Sequence, residues 1–297
     1  MSPRYATPAA FKQALEHRLR AAAQDAGAEL ARRRQLLVFE RFLARLAKVF
    51  AERMVLKGGI VVELRLDRAR TTKDIDLRLT GRSEEVLPQL QQAGALDLGD
   101  FMRFEVQPDP RHPELDAEGM QYQGRRFRVR PMLAGKVYGA PFGLDVAFAE
   151  PIVGGPEPVL GSDFLEFAGI APCTLLVYPL ESHIAEKLHA YTLPRTQPNS
   201  RVKDLPDMAL LAAARPLGGA KLREAIDRTF DHRKTHRPPP RTPEPPAFWE
   251  PVYARMAEDD RLRWPSLREL HEAVAAFLDP VLDGRATTWD PSGWAWT

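Results

Sequence analysis

Apolar residues recur three and four positions apart in two opening segments of the chain. Thr7-Pro8 marks a helix start, after which Phe11, Leu15 and Leu19 form one stripe, and Leu36, Phe39, Leu43, Leu46 and Phe50 form a second, longer one. The period then changes. Met54-Val55-Leu56-Lys57 reads as a short strand, Gly58-Gly59 as a tight turn, and Ile60 to Leu66 as a short helix carrying Ile60, Val61, Leu64 and Leu66. Strands are predicted at 73–79, 101–107, 125–131 and 143–149, with a helix near 83–93. Beyond Ser162 to Ile170 helical spacing dominates, at about 180–192, 204–214, 219–232 and 266–278. The pattern predicts an α+β chain: a mixed α and β core with N-terminal helices over residues 1–170, then a helical domain over 171–297. Six prolines between His236 and Pro246 predict an extended loop that wraps the helical lobe.

Charge changes the picture at Thr71-Thr72-Lys73-Asp74-Ile75-Asp76-Leu77. On a strand, residues two apart project to one face, so Asp74 and Asp76 point together while Ile75 and Leu77 turn the other way. At about 4 Å two like charges repel by roughly 4 kcal/mol at an effective dielectric near 20, so such a pair holds a proton or binds a cation. Oxygen ligands alone suit magnesium or manganese. The plain alternative is a solvated acidic pair at a strand end. Gly58-Gly59 permits close backbone approach, and free amides at the following helix start suit a triphosphate; the alternative is an ordinary strand-to-helix turn. Phe142-Gly143-Leu144-Asp145-Val146-Ala147-Phe148 is an apolar run with one charge inside it. That charge is tolerable if the strand lies beside the Asp74 strand, where Asp145 joins Asp76 on a cation or accepts a proton from an attacking hydroxyl. It could equally be a carboxylate at a strand edge facing water. Taken together, these pieces are the minimal equipment of a metal-dependent nucleotidyl transferase.

The same pieces, in order, carry a family resemblance. Leu56-Lys57-Gly58-Gly59, Arg70-Thr71-Thr72-Lys73-Asp74-Ile75-Asp76-Leu77, Leu144-Asp145-Val146, Ala185-Glu186-Lys187-Leu188 and Lys203-Asp204-Leu205-Pro206-Asp207 resemble the AbiEii/AbiGii toxin family, within the DNA polymerase beta-like nucleotidyltransferase superfamily. The closing Trp289-Asp290-Pro291 to Trp294 and Trp296 also looks like family members, so the resemblance covers nearly the whole chain. It implies a nucleotidyltransferase-like mixed-sheet core followed by a helical domain. It also implies the toxin of a type IV-like toxin–antitoxin or phage-defence pair, with a cognate antitoxin as partner, and transfer from a nucleoside triphosphate to RNA, such as the tRNA 3′ end. Asp74, Asp76 and Asp145 are then the metal ligands, for Mg2+ or Mn2+. Lys57, Gly58, Gly59, Lys203 and Asp204 are then nucleotide-binding, and Lys187 and Asp207 join the three acids as catalytic. Ile60 stands where relatives often carry serine or threonine, so no hydroxyl meets phosphate there and backbone amides take that place.

Read from the residues alone, Lys187 sits beside the stripe of Ile184, Leu188 and Tyr191, where an ordinary solvated lysine is the plain expectation. Pro206 fits a helix first turn, and acids there complement the helix dipole. Asp204 and Asp207 lie three apart on one helical face.

Net charge is only +2, yet residues 181–241 hold 12 Lys or Arg against 7 Asp or Glu. This basic stretch, which includes Arg201, suits a polyanionic substrate. Arg126, Arg128 and Arg130 alternate with Phe127 and Val129 as a second stripe of candidate RNA contacts, or as a plain solvent face. A single cysteine, Cys173, excludes a disulfide framework and a cysteine-rich zinc site. No Walker lysine loop, Rossmann glycine fingerprint or metalloprotease histidine spacing is present. No signal peptide or apolar run of about 20 residues is visible, which predicts a cytoplasmic protein with no membrane partner. Three other activities share these core residues: transfer to a small aminoglycoside-like antibiotic, transfer to protein, and noncatalytic nucleotide or RNA sensing.

Overall fold

A computed structural model describes residues 4–23, 28–65, 72–114, 124–148, 152 and 154–297. Leu66, Arg70, Thr71 and residue 149, which figure in the expectations above, lie outside the described residues. The chain opens with α1 (Pro8–Ala22) and α2 (Ala28–Phe50). Thr7 caps α1 through a hydrogen bond accepted from the Ala10 N–H at 3.2 Å, and Pro8 fills the first turn, as the sequence signals required. There follow β1 (Met54–Lys57), α3 (Gly59–Arg65), β2 (Asp74–Leu79), α4 (Val86–Ala95), β3 (Met102–Pro108), β4 (Gly124–Leu133), β5 (Lys136–Val137) and β6 (Phe142–Phe148). Two further strands, β7 (Glu157–Leu160) and β8 (Thr174–Val177), precede α5 (Leu180–Thr192), α6 (Asp204–Ala213), β9 (Leu217–Gly218) and α7 (Gly219–Arg233). The chain closes with α8 (Glu250–Asp259), α9 (Leu267–Leu282), β10 (Thr288–Asp290) and β11 (Ala295–Trp296).

The strands of the first half form one sheet in the order β3-β4-β6-β2-β1-β8-β7, with β5 paired to β4. β2 runs parallel to β6 and β1 parallel to β8, while the other pairs are antiparallel, so the sheet is mixed. All five predicted strands appear, β1 at its expected ends and the other four within two residues of theirs. β7 and β8 were not predicted; β7 contains Pro158, which is tolerated there because β7 is an edge strand. β8 extends the sheet into the stretch read as helical, and three short strands β9, β10 and β11 form a second small sheet there.

Alternation along β2 decides where the chemistry goes. Ile75 and Leu77, with Leu144 and Val146 of β6, pack into one core with Phe39, Phe42 and Leu46 of α2, which sends Asp74, Asp76 and Asp145 to the opposite face. A second core is built from α5, α6, α7, α8 and α9, with Val62 of α3 reaching into it.

The proline-rich segment from His236 to Pro246 contains no helix or strand and is pinned along the second core. The Tyr191 hydroxyl donates to the Pro243 carbonyl at 2.6 Å. Thr242 donates both its backbone N–H and its hydroxyl to Asp279 Oδ1, each at 2.8 Å. A bond to a charged acceptor is worth about 1.5–3 kcal/mol, so Thr242→Val is expected to lower stability by about 1–2 kcal/mol in urea unfolding at unchanged m. A loss within error of zero would show that the strap is not fastened there.

Candidate active site

Four neighbouring strands each place one charged residue in a single row. Lys57 of β1 is the register partner of Asp76 of β2, Asp76 of Asp145 of β6, and Asp145 of Arg126 of β4. The row reads cation, acid, acid, cation. Register partners on adjacent strands sit about 4.8 Å apart, so the two central carboxylates are close enough to repel. Burial first, and the Asp145 charge second, raise the Asp76 pKa to about 6, against the lowering pull of Lys57 and Lys187.

Two glycines make seats for the two β2 acids. Gly58 lies at φ +73, and a Cβ there would collide with the Asp76 carboxylate. Gly143, the register partner of Asp74, donates its N–H to Asp74 Oδ1 at 3.2 Å, and a Cβ on it would come within 2.5 Å of that oxygen. The role of Gly58 was expected as backbone approach to phosphate; its closest neighbour is instead an acid of the protein itself. Gly143 was not foreseen, and only the β2–β6 register reveals it.

Asp145 does not stand as the lone charge its strand suggested. Arg126 grips it through both ends of the guanidinium, Nε to Oδ1 and Nη2 to Oδ2, each at 2.7 Å. Among the described residues no three His, Cys, Asp or Glu side chains form a group that could hold a metal ion. The donor chemistry still suits a hard cation: two oxygen-bearing acids adjacent in register, one with a raised pKa, and a third on the same face. Asp145 itself is held in the Arg126 pair.

Across from the row stands α5. Lys187 bridges Asp204 at 3.1 Å and Asp207 at 2.8 Å, and Arg201 adds a contact to Asp204 at 2.8 Å. Asp207 is fully buried at the first turn of α6, so Lys187 is held from behind while its own side chain lines the cavity. Lys57 meets Glu186 at 3.7 Å and lies over the Tyr178 ring. His183, one turn before Lys187, is buried, and among the described residues neither ring nitrogen has a hydrogen-bond partner. Desolvation, then Lys187, lowers its pKa to about 3, so it is a neutral ring at physiological pH. From the residue order His183 could be placed only on a polar helix edge.

These groups share one cavity of about 1080 Å3. Its lining includes Lys57, Gly58, Gly59, Asp74, Asp76, Arg126, Asp145, Lys187, Arg201, Lys203 and Asp204 among the residues expected at the site. Asp207 lies behind it. Arg126, Arg128 and Arg130 share one face of β4, but of the three only Arg126 lines the cavity; Arg128 and Arg130, farther along the strand, pair with Asp109 at 3.9 Å and Glu105 at 2.9 Å. The loop after β3 supplies unforeseen lining residues, Arg111 and His112, and the helical half adds Arg195 and Arg233.

A family model described as nucleotidyl transferase AbiEii toxin, type IV TA system, matches residues 41–283. The chain belongs to the AbiEii nucleotidyl transferase toxin family. The AbiEii match runs from α2 to the last turns of α9 and so contains both the charged row and the lysine clamp. Among solved structures the chain is similar to MenT4, nucleotidyltransferase toxin Rv2826c from Mycobacterium tuberculosis H37Rv, at 19% identity and TM-score 0.55, covering 98% of this chain and 94% of that one. JHP933 from Helicobacter pylori is also similar, at 12% identity and TM-score 0.49, covering 87% of this chain and 94% of that one. The MenT4 likeness shows the same fold. No curated protein matches the chain significantly. The AbiEii chain is thus a nucleotidyltransferase toxin of a type IV toxin–antitoxin system, with a mixed α+β fold. Among its described residues no helix is long and apolar enough to cross a membrane.

Proposed function

We propose that this toxin transfers a nucleoside monophosphate from a magnesium- or manganese-bound nucleoside triphosphate to a hydroxyl of RNA, such as the tRNA 3′ end, with release of pyrophosphate. The observation that carries the reading is the cavity itself. At about 1080 Å3 it is at the upper end of the range of small-molecule sites, and it has an acidic floor under cationic walls. That charge arrangement suits an anionic substrate met by a divalent cation.

Asp74, Asp76 and Asp145 are the residues that would hold the divalent ion, which when bound neutralises phosphate charge and polarises the transferred phosphoryl group. Gly58, Gly59 and Lys57 seat the triphosphate at the start of α3. Lys203 and Asp204 bind it from the helical side. Lys187, fixed by Asp204 and Asp207, presents a cation to charge developing on the transferred group, a benefit of position and electrostatics. Asp145 orients the acceptor hydroxyl or takes its proton. Arg201 and the cavity-lining Arg126 meet RNA phosphates. Residues 1–170 thus carry the nucleotidyl-transfer face, and 171–297 contribute Lys187 and the Lys203–Asp207 segment. A cognate antitoxin protein and a cytoplasmic setting complete the reading.

Each of the four labelled nucleoside triphosphates, offered with purified tRNA, total RNA, an aminoglycoside or the protein alone, tests acceptor and base together. Label is expected in the tRNA band. Label in the antibiotic with RNA untouched would overturn the acceptor, and a mass increase on the protein alone would move the activity to self-modification.

A further inference from the structure

The Arg126–Asp145 pair poses a problem that the transfer reading does not answer: the acid best placed beside Asp76 is fully engaged. We propose that Arg126 is a phosphate-operated latch, holding Asp145 away from the divalent ion until a substrate phosphate takes over its guanidinium. The inference rests on the proposed metal-dependent transfer.

Three observations carry it. The grip is bidentate, and a phosphate presents the same pair of oxygens to a guanidinium fork, so one partner can replace the other with little loss. The Arg126 side chain is 39% exposed against 20% for Asp145, so an incoming anion reaches the arginine first. The Arg126 backbone is fixed, because β4 pairs with β6 here while the Arg126 N–H donates to the Pro113 carbonyl and its own carbonyl accepts from the Asp109 N–H, each at 2.9 Å. Movement is thereby confined to the side chain. Arg111 of the same loop also lines the cavity and offers the arriving phosphate a second guanidinium.

The exchange is one ion pair for another, with no bond made or broken. Its consequence is ordering: full binding of the divalent ion follows arrival of a substrate phosphate. Because such coupling is reciprocal, phosphate must tighten the ion by the factor by which the ion tightens phosphate.

The test uses the full chain in metal-free buffer, titrated with Mn2+ while electron paramagnetic resonance reads the free ion. A 5′-phosphorylated RNA tetranucleotide and a non-hydrolysable triphosphate are then added in separate arms. Arg126→Gln is expected to bind Mn2+ about tenfold tighter than wild type and than the charge-matched Arg128→Gln, within the usual range of coupling between sites. Wild type is expected to tighten when phosphate is added by more than Arg126→Gln does. The arm that produces this difference names the source, acceptor or nucleotide. Arg126→Lys keeps the charge, loses only the fork, and should fall between wild type and Arg126→Gln, which covers the case in which the glutamine variant fails to fold. Equal affinity in Arg126→Gln and Arg128→Gln, or identical phosphate effects in wild type and Arg126→Gln, overturns the latch and leaves the metal reading standing. No Mn2+ binding in any variant overturns both.

Discussion

Asp76→Asn is expected to abolish nucleotide transfer, by on the order of 10³-fold or more, and at the same time to stabilise the fold. The two effects share a cause. Asp76 sits over Gly58 between Lys57 and Asp145, and burial with the neighbouring Asp145 charge raises its pKa from 3.8 to about 6. A shift of that size corresponds to about 3 kcal/mol of penalty for the ionised form in the folded state, at about 1.4 kcal/mol per unit. The sign follows from the raised folded pKa: the penalty is absent below 3.8, grows as pH rises through the window to about 6, and is complete above it. Asparagine carries no charge to bury, so in metal-free buffer at pH 8 its melting temperature should exceed that of wild type by several degrees, at roughly 2–4 °C per kcal/mol. The advantage should shrink at pH 5. An inactive variant that is no more stable at pH 8 would mean that the carboxylate is already compensated in the free protein. An active one would remove Asp76 from the chemistry.

Gly58→Ala is expected to reduce transfer by about 10²-fold or more while leaving a folded protein. Alanine at φ +73 costs about 1–2 kcal/mol on backbone grounds alone. The larger effect is positional, since the new methyl group takes the space of the Asp76 carboxylate and displaces the central acid of the row. Gly143→Ala is the natural comparison: its backbone is outside the left-handed region, and the atoms nearest its methyl belong to Asp74. Steady-state kinetics beside urea unfolding separates the two contributions. If Gly58→Ala loses stability but retains kcat, the glycine serves the turn and not the acid.

Much of this architecture was legible in the amino-acid order. The stripes of α1, α2, α5, α6, α7 and α9 are long enough to show their period, and β2, β3, β4 and β6 alternate or run apolar over six residues or more. α8 was missed because its contribution to the core is small, with only Tyr253 and Ala257 buried. At the site, the spacing of Asp74 and Asp76 predicted a shared face, and the charge inside the β6 run predicted a neighbour for it. What could not be read were the partners. That Asp145 faces Arg126, that Gly143 makes room for Asp74, and that Arg126 alone of its stripe reaches the cavity all depend on the order β4-β6-β2-β1 and its register. A period of two says which residues point together, but not which residue of another strand lies opposite.

The charged row and its lysine clamp draw on chain positions from Lys57 to Asp207, and no two neighbours in the row come from consecutive strands except Lys57 and Asp76. On the proposed reading, the catalytic constellation is complete only once α6 has been synthesised, so a chain truncated before Asp207 is expected to show no transfer.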